Sequence, residues 1–486
     1  MNCIDYLLPK DFSPEDLFVL GVKEELSYSE LTKQVARLSG AIKKEYGVGN
    51  KFILLSPNNN YFIICYLAIM KSGNVVIPLN PTIEQDTLGF IKDQASVQLS
   101  FIPKLLQNRI KVEFENIWGE EEVESKSNQY PGETYQDDVD FDENQLAEII
   151  YTSGSTALPK GVMISHKNII ANTTSIIEYL KLSDQDIMEV VLPFFYCYGL
   201  SLLHTHLRVK GKIVLNNNFI FIGSVINDLN KYKCTGFAGV PSHFQILLRK
   251  SETFKNTDFP HLRYVTQAGG KLHTVFIEEF KASLPQTEFI VMYGQTEATA
   301  RLSYLPPERL KDKLGSLGKG IPGVKLKVVN EKGEQTEPGE IGEIVAKGGN
   351  VMLGYYQDDQ ETANTLRNGW LYTGDLAKVD EDGFIYHAAR KKEIIKVGGR
   401  RVSPKEIEEV IVSIPGVIDC TIEAIKDDVL GEAIKAILVK NEINQDLSTE
   451  SVKEFCSSKL SSYKIPHFIE FASNMKVNSA GKKVKS

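Results

Sequence analysis

Several things are missing from this chain, and each absence removes a class of protein. The six cysteines, Cys3, Cys65, Cys197, Cys234, Cys420 and Cys456, form no CxxC pair. That speaks against a disulfide frame or a zinc site and for buried thiols in a reducing compartment. The N-terminus MNCIDYLLPKDF has neither a basic start nor a long apolar core, so no signal peptide is read there. The longest apolar run, Tyr61 to Met70, is too short to span a bilayer and reads as a buried helix. Positive charge is not in excess: the formal net charge of −8 argues against a broad nucleic-acid-binding face. The basic tail Lys482, Lys483 and Lys485, taken alone, reads as a solvated end. His204 and His206 are two apart, so on a strand they would share a face, but neither an acidic residue nor a cysteine lies nearby to complete a metal set. There is no internal repeat and no low-complexity segment. A soluble cytoplasmic protein without a membrane span or a nucleic-acid partner is expected.

What is there suits a layered fold. The 486 residues, 42% hydrophobic and 24% charged, suffice for more than one domain. Short apolar runs (KFILLSP, NVVIPLNP, LAEIIYTSG, EFIVMYG) alternate with helix-like patterns over the first 390 residues, which indicates α/β layering. From about residue 315 the texture turns β-like, with EKGE and the DEDG of 380–383 marking hairpins. After Arg390 comes a compact α+β unit. Ser403, Pro404 and Glu406 form a predicted capping box, and Ile407, Val410, Ile411 and Ile414 make one helical stripe. Two strand-like runs, VIDCTIEAI and EAIKAILVK, and a helix around Ser451 to Leu460 follow. The predicted fold class is α/β: a large N-terminal domain of layered α/β subdomains plus a β-rich subdomain, residues 1–389, and a small mobile α+β C-terminal domain, residues 390–486.

Residues 152–161, TSGSTALPKG, crowd a glycine, small hydroxyls and a lysine after a strand. A Walker A loop needs GxxxxGK[ST] before a helix. Here Pro159 stands where the second glycine belongs and offers no backbone N–H, and the following VMISH reads as a strand. Thr152, Ser153, Ser155 and Thr156, with amides near Gly154, could cradle polyphosphate and Lys160 could supply a point charge. The same residues also suit a plain polar turn.

Other segments favour the phosphate reading. TSGSTALPKG resembles the phosphate loop of the adenylate-forming superfamily of acyl- and aryl-CoA ligases, peptide-synthetase adenylation domains and luciferases. In the same order follow YGQTE at 293–297, YTGDL at 372–376, ARKKEIIKVGGRRVSPKEIE at 389–408 and NSAGKK at 478–483. Weaker matches are FAGVPSHF at 237–244, QAGGKL at 267–272 and GEIGEIVAKGGNVMLGYY at 339–356. The resemblance spans nearly the whole chain. It implies an ATP-dependent enzyme that joins a carboxylate to the α-phosphate of ATP, releases pyrophosphate, and passes the acyl group to a pantetheine thiol. The thiol belongs to coenzyme A or to a carrier protein. A nucleotide-binding protein that has lost catalysis is the reading of a different class, disfavoured by the joint presence of Glu297, Asp375, Arg390 and Lys482.

The resemblance also implies roles. Thr152, Ser153, Gly154, Ser155, Thr156 and Lys160 would hold the β/γ-phosphates, Thr296 the α-phosphate, and Glu297 a Mg²⁺ ion. Tyr293 would stack near adenine, Gly269 and Gly270 would let the base approach the backbone, and Asp375, with Arg390 beside it, would accept from the ribose hydroxyls. Lys482 would bridge carboxylate and α-phosphate once the small domain docks. Lys392 falls at the hinge. In a second orientation the segment from Lys396 to Arg401 would turn inward, with Gly398 and Gly399 clearing a passage for the thiol arm. The acid would lie among Tyr196, Cys197, Tyr198, Ser201, Gly239, Thr266, Ala268, Met292, Ala300 and Arg301. None of these is an acid that would meet an α-amino group, so a standard amino acid is disfavoured. Arg301 would meet a second carboxylate on the substrate or pair with an acidic residue of the protein, the latter being favoured because a buried arginine needs a partner. Ala157 replaces a glycine common in the phosphate loop, Tyr196 replaces a histidine common in the PxxH segment, and no carrier domain follows Lys482, so the thiol is expected in trans.

Overall fold

A computed structural model describes residues 1–21, 25–130, 135–138, 140–152, 159–217, 219, 221–391, 393–427, 430–441 and 447–475. The strands of these residues form four sheets. The first runs Gly354–Tyr355, Lys160–Ser165, Leu146–Thr152, Val75–Leu79, Lys51–Leu55, Leu99–Phe101, Asn116–Trp118. Its last five strands are parallel, and Leu146–Thr152 pairs antiparallel with Lys160–Ser165. The second has nine strands with a parallel centre: Glu288–Tyr293, Tyr264–Gln267, Gly236–Gly239, Ile187–Val190, Lys212–Leu215. Runs such as VVIPL and FIVMY are apolar on both faces because helices cover both sides of a parallel sheet.

Between these two sheets lies the main core. The run beginning at Tyr61 is the helix Asn60–Lys71, capped where Asn59 accepts a hydrogen bond from the Phe62 amide (2.8 Å), and Phe62 to Met70 are all buried. A helix buried on every face needs neighbours all round. Here they come from Phe52, Leu54 and Ala147 of the first sheet and from Leu203 and Leu207 of the helix Cys197–Arg208. His204 and His206 belong to that helix, not to a strand, so their side chains diverge. His204 Nε2 lies 2.9 Å from the Tyr66 hydroxyl, and His206 Nδ1 lies 2.9 Å from the Leu202 carbonyl.

The β-rich region is a third sheet of Val324–Val329, Gly342–Gly348, Trp370–Val379 and Leu366–Arg367, with Ile385–Arg390 paired to Trp370–Val379. The EKGE and DEDG turns both close hairpins, as expected.

The C-terminal domain is a fourth sheet, built on the hairpin Val417–Asp427 with Gly431–Lys440 and flanked by the helices Pro404–Val412 and Thr449–Lys459. Ile407, Ile411 and Ile414 of the expected stripe are buried. The expected capping box does not form. Ser403 Oγ donates to the Ala388 carbonyl (2.5 Å) and Glu406 pairs with Lys464 (2.6 Å), so the cap hydroxyl ties the helix to the preceding strand instead of to its own first turn.

This domain is docked on the large one. Glu409 receives the Thr274 amide (2.8 Å) and hydroxyl (2.7 Å), pairs with Lys271 Nζ (2.8 Å) and lies 3.0 Å from His273 Nδ1. Gln245 donates to Asp419 (3.1 Å), and Arg249 reaches the Val417 carbonyl.

Candidate active site

The loop TSGSTALP joins two antiparallel strands in which Thr152 sits opposite Lys160. This register places Thr152 and Lys160 at the mouth of the loop. Ser153, Gly154, Ser155, Thr156 and Ala157 lie outside the described residues. Lys160 Nζ pairs with Glu361 (2.5 Å) and lies over the Tyr355 ring, 5.4 Å from its centre. The Tyr355 hydroxyl donates to Glu297 (2.8 Å). Tyr355 thus links the expected phosphate lysine to the expected metal carboxylate, through the short strand that pairs Tyr355 with Val162.

The YGQTE segment leaves the strand Glu288–Tyr293 and turns sharply. A Cβ on Gly294 would stand 1.9 Å from the Ala300 carbonyl oxygen, so only glycine permits the fold-back. Thr299 takes φ +63°, and its hydroxyl donates to the Asn350 carbonyl (2.7 Å). A β-branched residue in that region is strained and is held by its surroundings. The turn sets Thr296 and Glu297, both part-buried, at the end of the strand.

Tyr293 donates to Asp375 Oδ2 (2.7 Å). Arg390 Nε lies 3.1 Å and His387 Nε2 3.5 Å from Asp375 Oδ1, which is buried and accepts no hydrogen bond. Burial pushes the Asp375 carboxyl up, but His387, Arg390 and Tyr293 outweigh it and hold the carboxyl below its usual range. Asp375 faces Arg390 in the strand register, so the DEDG turn positions both. Gly269, at φ +84°, and Gly270 follow the strand Tyr264–Gln267, and Gln267 Nε2 donates to the Gly270 carbonyl (2.8 Å).

The first turns of the helix Cys197–Arg208 bring several of the residues expected around the acid into contact. Cys197 Sγ lies 3.6 Å from the Thr296 hydroxyl, the Tyr198 hydroxyl lies 2.9 Å from that of Thr266, and Ser201 Oγ donates to the Tyr198 carbonyl (2.7 Å). Tyr196, part-buried, caps this helix beside the Phe195 ring. Gly239, Ala268, Met292 and Ala300 are buried. The favoured pairing of Arg301 with an acidic residue is not found. Arg301 is buried, but among the described residues no carboxylate pairs with it. Its guanidinium packs 4.0 Å from the centre of the Tyr198 ring, and aromatic faces attract such a cation.

Lys396, Gly398 and Gly399 form an exposed hairpin of the C-terminal sheet. They are not gathered with the other site residues. Lys392 and Lys482 lie outside the described residues. Four participants were missed from sequence: His387, Tyr355, Glu361 and Asn350. The hairpin register around DEDG signals His387; the others depend on pairing between distant segments.

The chain matches the AMP-binding enzyme model over residues 11–356 and the AMP-binding enzyme C-terminal domain model over residues 406–482, and it belongs to that family. It is 26% identical over 490 residues to an oxalate–CoA ligase of Arabidopsis thaliana, covering 97% of this chain and 95% of that one. It is 27% identical over 465 residues to a feruloyl-CoA synthase of an Amycolatopsis species, covering 95% and 92%. The crystal structure of ATP-bound MatB from Rhodopseudomonas palustris superposes with a TM-score of 0.88 at 24% identity, covering 99% and 97%, and shares the fold. Within its family, this chain is an ATP-dependent, AMP-forming acid–thiol ligase that activates a carboxylic acid and transfers it to a thiol. Among the described residues no helix is long and apolar enough to cross a membrane.

Proposed function

We propose that the chain is an acyl- or aryl-CoA ligase whose ATP site lies between the TSGST turn, the YGQTE turn and Asp375, with a boundary at residues 389–390 and a hinge at Lys392. The observation that carries this reading is the Tyr355 link, which joins Lys160 and Glu297 where β- and γ-phosphates would lie. Asp375, with a buried oxygen free of hydrogen bonds, suits a ribose hydroxyl. Thr296 would donate to the α-phosphate, and the cation of Lys482, which lies outside the described residues, would steady that phosphate and the incoming carboxylate. The acid's oxygen then bonds to the α-phosphorus as the bond to pyrophosphate breaks, so donors are needed where negative charge accumulates. No group of three or more His, Cys, Asp or Glu side chains converges among the described residues. Glu297 together with phosphate oxygens is an ordinary Mg²⁺ donor set, and the ion would supply further neutralisation of the phosphates.

In the second half-reaction a thiol sulfur bonds to the acyl carbon, AMP leaves, and the thiol proton passes to solvent. The exposed turn Gly398–Gly399, with φ of +54° and +80°, would have to swing inward for this step. Coenzyme A is the favoured acceptor, because the full-length relatives bear the names of CoA ligases; loading of a carrier protein is the second reading. Oxalate and ferulate, which name two relatives, differ in size and polarity, so the shared chemistry does not choose the acid.

Acid-dependent exchange of labelled pyrophosphate into ATP, across a panel of carboxylic acids, tests the first step. Thioester formation with coenzyme A against carrier proteins tests the second. Absence of exchange with every acid overturns the reading.

A further inference from the structure

The expected acid pocket contains one charge that no carboxylate among the described residues answers. Arg249, Arg263 and Arg390 each pair with a carboxylate: Glu279 at 2.6 Å, Asp186 at 2.8 Å and Asp375 at 3.1 Å. Arg301 is more buried than any of these, at 3% exposure, yet no described carboxylate meets it. Its polar contacts are neutral: Nε to Met292 Sδ at 3.3 Å, Nη1 to the Ala300 carbonyl at 3.4 Å, Nη2 to Ser201 Oγ at 3.4 Å, and a hydrogen bond with the buried Tyr179 hydroxyl. A guanidinium has five N–H donors in a fork that matches a carboxylate. Neutral acceptors, one a thioether, satisfy donors of that fork but bring no opposite charge, and a buried charge without a counter-ion is costly.

The position is built as well as charged. The backbone carbonyl of Arg301 accepts from Asn350 Nδ2 (2.6 Å) and Asn172 Nδ2 (3.4 Å), both buried. The Tyr198 ring supports the cation from one side. One helix then gives the placement relative to the reacting end. Cys197, in its first turn, touches Thr296, and Ser201, four residues on, touches Arg301. Four residues of helix advance about 6 Å. A group held by Arg301 therefore lies roughly one helical turn deeper than a group held by Thr296, within the reach of a short carbon chain.

We propose that Arg301 receives a second carboxylate of the acid, so that the substrate class is short dicarboxylic acids activated at one end only. This rests on the reading of the site as one that activates acids. The counter-charge that no described residue provides is supplied by the substrate, and a monoacid would leave the guanidinium without a carboxylate from any described residue. A site built around a polar partner rejects analogues that lack it far more strongly than an apolar pocket rejects a missing methylene.

The test is acid-dependent pyrophosphate release with malonate, succinate, glutarate and adipate, each against the monoacid of equal carbon number. At least one diacid is expected to exceed its monoacid in kcat/KM by about 10²-fold or more. In Arg301→Met that ratio should fall by a similar factor, and Arg301→Lys, which keeps a point charge without the fork, should fall between. Tm values of both variants, measured alongside, separate misfolding from lost selectivity, and the ratio within one variant is independent of the active fraction. Monoacids turned over as well as or better than every diacid, or a ratio unmoved in Arg301→Met, would overturn the assignment of Arg301 while leaving acid activation standing. Turnover of no acid at all would remove both.

Discussion

Replacing Glu148 by glutamine should make the protein more stable at pH 8 and hardly alter it near pH 4. Glu148 lies on the strand Leu146–Thr152, which leads into the segment TSGSTALP, and it is 2% exposed. It accepts from the Tyr66 hydroxyl (2.7 Å), which also lies 2.9 Å from His204 Nε2 on the helix Cys197–Arg208. No cation pairs with it among the described residues. Burial pushes its carboxyl up to about 7 from an ordinary 4.5, against the smaller opposing effect of the Tyr66 hydrogen bond. The folded protein therefore holds this proton more tightly than the unfolded chain. Stability is fully present below about pH 4.5 and is lost as pH rises toward and past 7. A shift of this size corresponds to about 3 kcal/mol at pH 8. Glutamine keeps an acceptor for Tyr66 but carries no charge to bury, so Glu148→Gln should recover most of that amount. Urea unfolding midpoints of both proteins at pH 5 and pH 8 check this: the variant's advantage should grow by about 2 kcal/mol between the two. An advantage that is equal at both pH values, or a uniform loss, would show that Glu148 is ionised in the fold and refute the reasoning.

Three further outcomes are expected. Lys482→Ala should slow pyrophosphate exchange by about 10²–10³-fold or more, with much less effect on thioester formation from supplied acyl-adenylate; equal loss in both steps would contradict two domain orientations. Asp375→Ala should raise the KM for ATP by about tenfold or more, the scale of a charged hydrogen bond; an unchanged KM with normal turnover would remove Asp375 from the site. Glu409 is pushed up by burial, but His273 and Lys271 outweigh this and hold it well below the usual carboxylate range. Its contribution to docking is therefore present above about pH 4.5 and lost as pH falls below it. Glu409→Gln should speed proteolytic cleavage near residues 390–392 at pH 7, and an unchanged cleavage rate would show that the seam does not hold the domain.

The sequence by itself determined the layering, because apolar runs of strand length separated by helical stripes have few other ways to hide. It determined both hairpins of the β-rich region through their turn residues. It also named the motif residues Lys160, Thr296, Glu297, Asp375 and Arg390 by likeness of short segments. It misread Ser403, whose hydroxyl found a carbonyl on another strand, and it left His204 and His206 open, because their run suits strand or helix equally until neighbours decide. Only the tertiary structure decided that Tyr355 joins Lys160 to Glu297, that Glu409 meets Lys271, His273 and Thr274 across the domain seam, and that Arg301 lacks an acidic partner among the described residues. These facts depend on side chains brought together from distant segments. Local propensity acts over a few residues, whereas the burial of a charge and the identity of its neighbours are set by how whole layers pack.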